Sequence, residues 1–224
     1  PDRALSMRIA TIPFQRTLAG SIQQAQQKLA DTQTALNTGK KSNDLAGLGS
    51  QAVATLSARS LLSRQEAQGA SAKNLGTTLS LYDTNITAID NGGIELRQYV
   101  MTALGTGNSE SLQGAIEGAF GSFRAALNAT DGSGALFAGS QGDVKPFTLV
   151  TLDQAVGATT ESAFANDGVR ATARVGDGID VAYGVTASEI GGGMLRVFRT
   201  LAEAGPIGPT LTDAQRTALT DAIA

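Results

Sequence analysis

Leu18, Ile22, Ala25, Leu29, Thr32 and Leu36 recur at spacings that alternate four and three, in a segment otherwise rich in Gln and small polar residues. That heptad rhythm predicts a helix with a narrow apolar seam, which buries itself only against another helix. Thr38-Gly39 marks its end, because glycine enters the left-handed conformation that closes a helix without steric cost. The polar, glycine-containing stretch 40–50 then predicts a loop. Between Ser50 and Leu104 there is no proline, and Leu75, Leu79, Tyr82, Ile86, Ile89, Gly93, Leu96 and Val100 repeat the same rhythm. One very long helix, or two meeting near Gly69, is predicted there. At 1.5 Å per residue the uninterrupted version reaches about 80 Å, so an elongated rod is implied. A third helix is predicted from Ser109 to Ala129, with Leu112, Ile116, Ala119, Phe120, Phe123 and Leu127 on one face, which suits a return along the second.

Beyond residue 130 the period changes. Asp131-Gly132-Ser133-Gly134 is turn chemistry, and Ala135-Leu136-Phe137-Ala138 before Gly139 predicts a short strand. Phe147 to Leu152 looks extended. Val169, Ala171, Ala173 and Val175 alternate with other residues, the chain turns at Gly176-Asp177-Gly178, and Ile179, Val181, Tyr183 and Val185 answer them. Residues 169–186 therefore predict a hairpin with one buried face. Helical spacing resumes after Gly191-Gly192-Gly193 with Met194, Val197, Phe198 and Leu201, and stops at Gly205-Pro206. Thr212, three residues before Gln215, predicts a capping box that opens a last helix. The expected fold class is mainly α with a small β-containing insertion (α+β), an elongated bundle of long antiparallel helices. Its expected parts are a flexible N-terminal extension over 1–16, a long-helix rod domain over 17–135 and 190–224, and a small β-rich insertion domain over 136–189. Leu211, Leu219 and Ile223 resemble the start of another amphipathic segment, so a mate for the Leu18–Leu36 seam is expected after Ala224.

Composition acts on this picture mainly by exclusion. With 42% hydrophobic but only 4% aromatic residues and no Trp, the apolar content is mostly Ala, Leu, Ile and Val, which suits helices packed side by side. Neither Cys nor His occurs, which removes disulfides, thiolate nucleophiles, imidazole bases and metal sites built on those residues. The net charge is −3 and the only adjacent lysines are Lys40 and Lys41, so nucleic acid is not an expected partner. No apolar run approaches the ~20 residues of a membrane span, and Pro1 to Ala10 lacks the apolar centre of a secretory signal. Membrane insertion is not expected, and any export would use a route without that signal.

Three motifs carry candidate chemistry, and each has a plainer reading. Gly47-Leu48-Gly49-Ser50-Gln51-Ala52 superficially fits a dinucleotide-binding pattern, but no strand precedes it. Asp131-Gly132-Ser133-Gly134 resembles the opening of a calcium loop, yet the twelfth position is Gly142 rather than a bidentate glutamate. Asp143, Asp153, Glu161, Asp167, Asp177 and Asp180 gather loosely in the insertion. A hydrolase needs only two correctly spaced acids, while a solvated acidic surface is the commoner meaning. No cofactor, no metal and no enzyme activity are expected.

Several strings resemble the flagellar hook-filament junction proteins, the third hook-associated protein family of the flagellin superfamily. Met7-Arg8-Ile9-Ala10-Thr11 is similar to that family's start, which would make Pro1 to Ser6 an upstream extension. Gln27-Lys28-Leu29 through Leu36-Asn37-Thr38-Gly39-Lys40-Lys41 resembles its first helix and threonine-glycine-lysine turn. Phe137-Ala138-Gly139, preceded by Leu136 and followed by Ser140, Asp143 and Pro146-Phe147, resembles the segment after its third helix. Where that family usually carries a paired-aspartate loop, this chain has Ser42-Asn43-Asp44-Leu45-Ala46-Gly47.

The resemblance implies a flagellin-like structural protein, secreted by type III export and located in the extracellular bacterial flagellum, with its terminal helices in a coiled coil. It implies contacts with the hook-side junction protein, with flagellin and with copies of itself, and help from an export chaperone. Leu18, Ile22, Leu29 and Leu36 become the candidate assembly contacts. A filament flagellin, sharing the helical core, is the nearest alternative, followed by a cell-surface protein whose insertion binds polysaccharide. The scarcity of aromatics argues mildly against sugar stacking.

Overall fold

The computed structural model describes residues 3–40 and 46–223, with side chains over 12–40 and 49–223. It comprises two compact units, Pro1–Arg64 and Gln65–Ala224. In the first unit, helix α1 spans Arg3–Thr38, and a 3-10 turn, Ala46–Gln51, kinks at Gly49 (φ 53°, ψ −127°) before helix α2 begins. The segment 1–16, expected as a flexible extension, is therefore helical from Arg3 onward. Arg, Ala, Leu and Met, all strong helix formers, supply half of residues 3–16, and they outweigh Pro13, which sits inside the helix and withholds one donor. Most of the Ser42–Gly47 string lies outside the described residues.

Helix α2, Ala52–Thr106, is uninterrupted at Gly69, which settles the choice between one helix and two. In the second unit it is followed by α3 (Leu112–Leu127), a single turn α4 (Thr160–Ala163), strands β1 (Ala171–Gly176) and β2 (Ile179–Tyr183), α5 (Ala187–Glu203) and α6 (Asp213–Ile223). The chain is thus mainly α with one small antiparallel sheet. Five of the six residues expected on the apolar face of α3 are buried: Leu112, Ile116, Phe120, Phe123 and Leu127. They share a core with Leu96 and Val100 of α2, Leu195, Phe198 and Leu201 of α5, and Leu219 of α6. The predicted box opens α6: Thr212 donates its N–H to Gln215 Oε1 (3.1 Å), and Gln215 N–H returns to Thr212 Oγ1 (3.2 Å).

Two expectations for the middle region fail for physical reasons. Leu136–Ala138 is a buried turn instead of a strand, with only an isolated bridge from Ala135 to Thr130, because its carbonyls find partners elsewhere. Leu136 O accepts from the Tyr82 hydroxyl and Phe137 O from Ala187 N–H (2.9 Å), so no ladder is needed. Nor is 136–189 separate from the helices: Phe137, Phe147 and Phe164 belong to the same core as α3 and α5. The hairpin forms, with Ala171 opposite Tyr183 and Ala173 opposite Val181, and its register slips between Arg174 and Gly176. Its face is not buried, however; Ile179 and Val181 are 57% and 42% exposed. A lone two-stranded ribbon has too little area to cover itself.

Helix α5 starts before its three glycines, with Thr186 N–H donating to Glu189 Oε2 (2.9 Å) as the cap. Gly191 permits a close approach, since a Cβ there would stand 2.8 Å from the Phe164 ring and 3.1 Å from a Leu127 methyl. At Gly192 the same atom would meet nothing within 4 Å. Gly191→Ala is expected to destabilise by about 1–3 kcal/mol through overpacking. Gly192→Ala should stabilise by up to about 1 kcal/mol through helix propensity. Denaturant unfolding of the pair checks the contrast, and equal effects would contradict the packing.

Candidate assembly surface

Within the first unit, every described side chain of α1 from Ile12 to Lys40 is exposed except Ala35, which is half-buried. The seam residues lie on one helical face, with Leu18 and Ile22 each 51%, Leu29 59% and Leu36 83% exposed. Phe14 extends the row, and Val53, Leu56, Leu61 and Leu62 add exposed apolar surface at the start of α2. A continuous apolar row left open to water marks an interaction surface, unlike single scattered leucines. Thr38 and Gly39 end α1 as expected: Gly39 takes φ 64°, Thr38 Oγ1 donates to Thr34 O (2.7 Å), and Lys40 N–H donates to Thr38 Oγ1 (3.4 Å). Lys41 lies outside the described residues.

A second exposed row includes Leu79 and Ile86 of the expected α2 stripe and adds Ile94 and Met101, which the sequence did not single out. On α2 in the second unit, Leu79, Ile86, Ile94 and Met101 are all exposed, and Asp83, Asp90 and Arg97, exposed too, fall between them on the same face. A strict heptad laid on a straight helix drifts about 20° per repeat. The expected α2 stripe therefore does not stay on one side: Leu96 and Val100 reach the core while Leu79 and Ile86 are exposed.

The remaining motif residues are structural. Phe137 is fully buried and meets Tyr82 edge-on, with ring centroids 5.0 Å apart. Pro146 and Phe147 are buried as well. Phe147 packs against Phe123 (5.2 Å) and Phe164 (5.3 Å), and the Asn128 amide clamps its backbone, donating to Phe147 O and accepting from Phe147 N–H, each at 3.0 Å. Between them, Ala138 is fully buried and Gly139 takes φ 73°; a Cβ on Gly139 would collide with Asp167 Oδ1. Asp167 accepts from the Ser140 hydroxyl, from Ser140 N–H (2.9 Å) and from Val169 N–H (3.0 Å). The Ser140 hydroxyl leads the hydrogen bonds that hold its carboxyl below the usual range.

Asp131 shows the same economy. It accepts from the Ser133 hydroxyl (2.5 Å), from Ser133 N–H (2.9 Å) and from the Thr78 hydroxyl (3.1 Å), with the Ser133 hydroxyl as the main cause of its lowered pKa. Its string is a turn, as the sequence suggested. Asp180 pairs with Arg174 Nε at 2.9 Å. A polar cleft of about 340 Å³ lies beside Thr78, Tyr82, Asp131 and Tyr183, and of these Thr78, Tyr82 and Asp131 are engaged in hydrogen bonds within the fold. Among the described residues no three carboxylates converge as a metal cage requires. No described helix is long and apolar enough to cross a membrane.

No family model matches the chain, and no curated protein matches it in sequence. The fold is similar to that of a solved structure from Vibrio parahaemolyticus, provisionally named a flagellar hook-associated protein. The likeness has a TM-score of 0.60, covers 82% of this chain and 80% of that one, and carries 18% sequence identity. At that identity it is a likeness of fold.

Proposed function

We propose that the chain is a structural subunit of the bacterial flagellum, without catalytic activity, and that it serves as the adapter at the hook-filament junction. The observation that carries this reading is the open apolar row Leu18, Ile22, Leu29 and Leu36. Such a row makes sense in a protein whose burial is completed by neighbours. The fold likeness to a chain bearing a hook-associated name adds support. In this role the chain contacts the hook-side junction protein, filament flagellin and copies of itself through heterologous contacts. It reaches the extracellular flagellum unfolded through type III export, with a chaperone covering its apolar rows beforehand.

Filament flagellin is the second reading, since the same open row suits a filament subunit. Electron microscopy of a strain lacking the gene separates the two. The adapter predicts hooks without attached filaments and released filaments of normal composition. Filaments that remain attached overturn the adapter. Loss of the filament protein itself assigns the chain to the flagellins.

A further inference from the structure

The chain has no Cys, His or Trp, so methionine sulfur is its most readily oxidised group. Three methionines occur, of which Met101 and Met194 fall among the described side chains. Both belong to the second unit, in contrasting surroundings. Met101 lies near the end of α2 and is 54% exposed. Arg97 and Gly105, one turn before and after it, are exposed too, and a Cβ on Gly105 would meet nothing within 4 Å. Met194 is half-buried on α5 and packs against the core. Its methyl rests on the α2 backbone, where a Cβ on Gly93 would stand only 2.7 Å from it. Leu96, Val100, Val197 and Leu201 line the same small slot.

We infer that Met101 is the peroxide-reactive site of the folded chain and takes up oxygen without loss of fold, whereas Met194 is the slower site, at which oxidation does damage. Nothing in this depends on the assembly role proposed above. The thioether sulfur donates a lone pair to one oxygen of hydrogen peroxide, and the O–O bond breaks. That oxygen stays on sulfur as the sulfoxide, the other leaves as water, and the two electrons given up by sulfur reduce the peroxide. Exposure sets the rate, because the oxidant must reach the sulfur. Surroundings set the consequence. A sulfoxide at Met101 stays in water, while one at Met194 forces a polar oxygen into an aliphatic contact whose methyl already touches a neighbouring backbone.

The test exposes the full chain to millimolar hydrogen peroxide and follows each methionine by peptide mass spectrometry, with thermal unfolding of the same samples. The Met101 peptide is expected to gain one oxygen at least about fivefold faster than the Met194 peptide. The melting midpoint should hold within about 1 °C while Met101 alone of the two is oxidised, and fall by about 3 °C or more as Met194 follows. Met101→Leu changes an exposed position to a residue of similar volume. This variant should fold like wild type, lose the fast uptake at position 101, and keep both the slow uptake at Met194 and the fall in midpoint that accompanies it. The Met7 peptide is scored separately in both proteins. Equal oxidation rates at Met101 and Met194, or a midpoint that falls with Met101 sulfoxide alone, overturns the inference. So does a midpoint that stays unchanged once Met194 is fully oxidised.

Discussion

Phe147→Ala is expected to lower the unfolding free energy of the second unit by about 3–5 kcal/mol, the range for truncating a buried aromatic. Phe147 is only 1% exposed and touches the rings of Phe120, Phe123 and Phe164, which come from α3 and from the chain just after α4. Removing it opens a cavity where these elements meet, while Asn128 and the bridge to Phe164 still hold its backbone. Whole domains are typically stable by only about 5–15 kcal/mol, so much of the margin disappears. Guanidinium unfolding at unchanged slope checks this. A loss under about 1 kcal/mol would mean that residues 136–189 do not share the helical core.

The second large effect is expected on assembly and not on folding. Leu29→Asp changes a 59% exposed position, so the isolated chain should lose no more than about 0.5–1 kcal/mol, mostly through helix propensity. Incorporated against a neighbouring helix, the new carboxylate would be buried without a partner, at a cost of several kcal/mol. A penalty of about 3 kcal/mol weakens each contact roughly 100-fold. Swimming in soft agar should be abolished while the soluble protein stays helical. Normal motility would show that the α1 row is not an assembly contact.

Much of the helical part was legible because its information is local. The α3 face and the Thr212–Gln215 box follow from spacing alone, and both form as read. The seam of α1 was readable as lacking a mate, since leucines at heptad spacing among glutamines have no purpose in isolation. What could not be read depends on distant partners. Ala135–Ala138 looks like a strand until Tyr82 and Ala187 supply its hydrogen bonds from elsewhere in the sequence. The glycines of α5 look like a break until Phe164 is seen resting on Gly191. The α2 stripe needed the helix to be continuous before its drift could be followed.

The central claim is that the α1 row is open in the free chain and covered in the flagellum. The absence of cysteine makes this directly measurable, because a single Leu29→Cys thiol is the only one in the chain. Maleimide labelling should be rapid in the purified subunit and at least about tenfold slower in isolated intact flagella, where a neighbouring helix covers the position. Equal labelling rates in the two states would contradict the account.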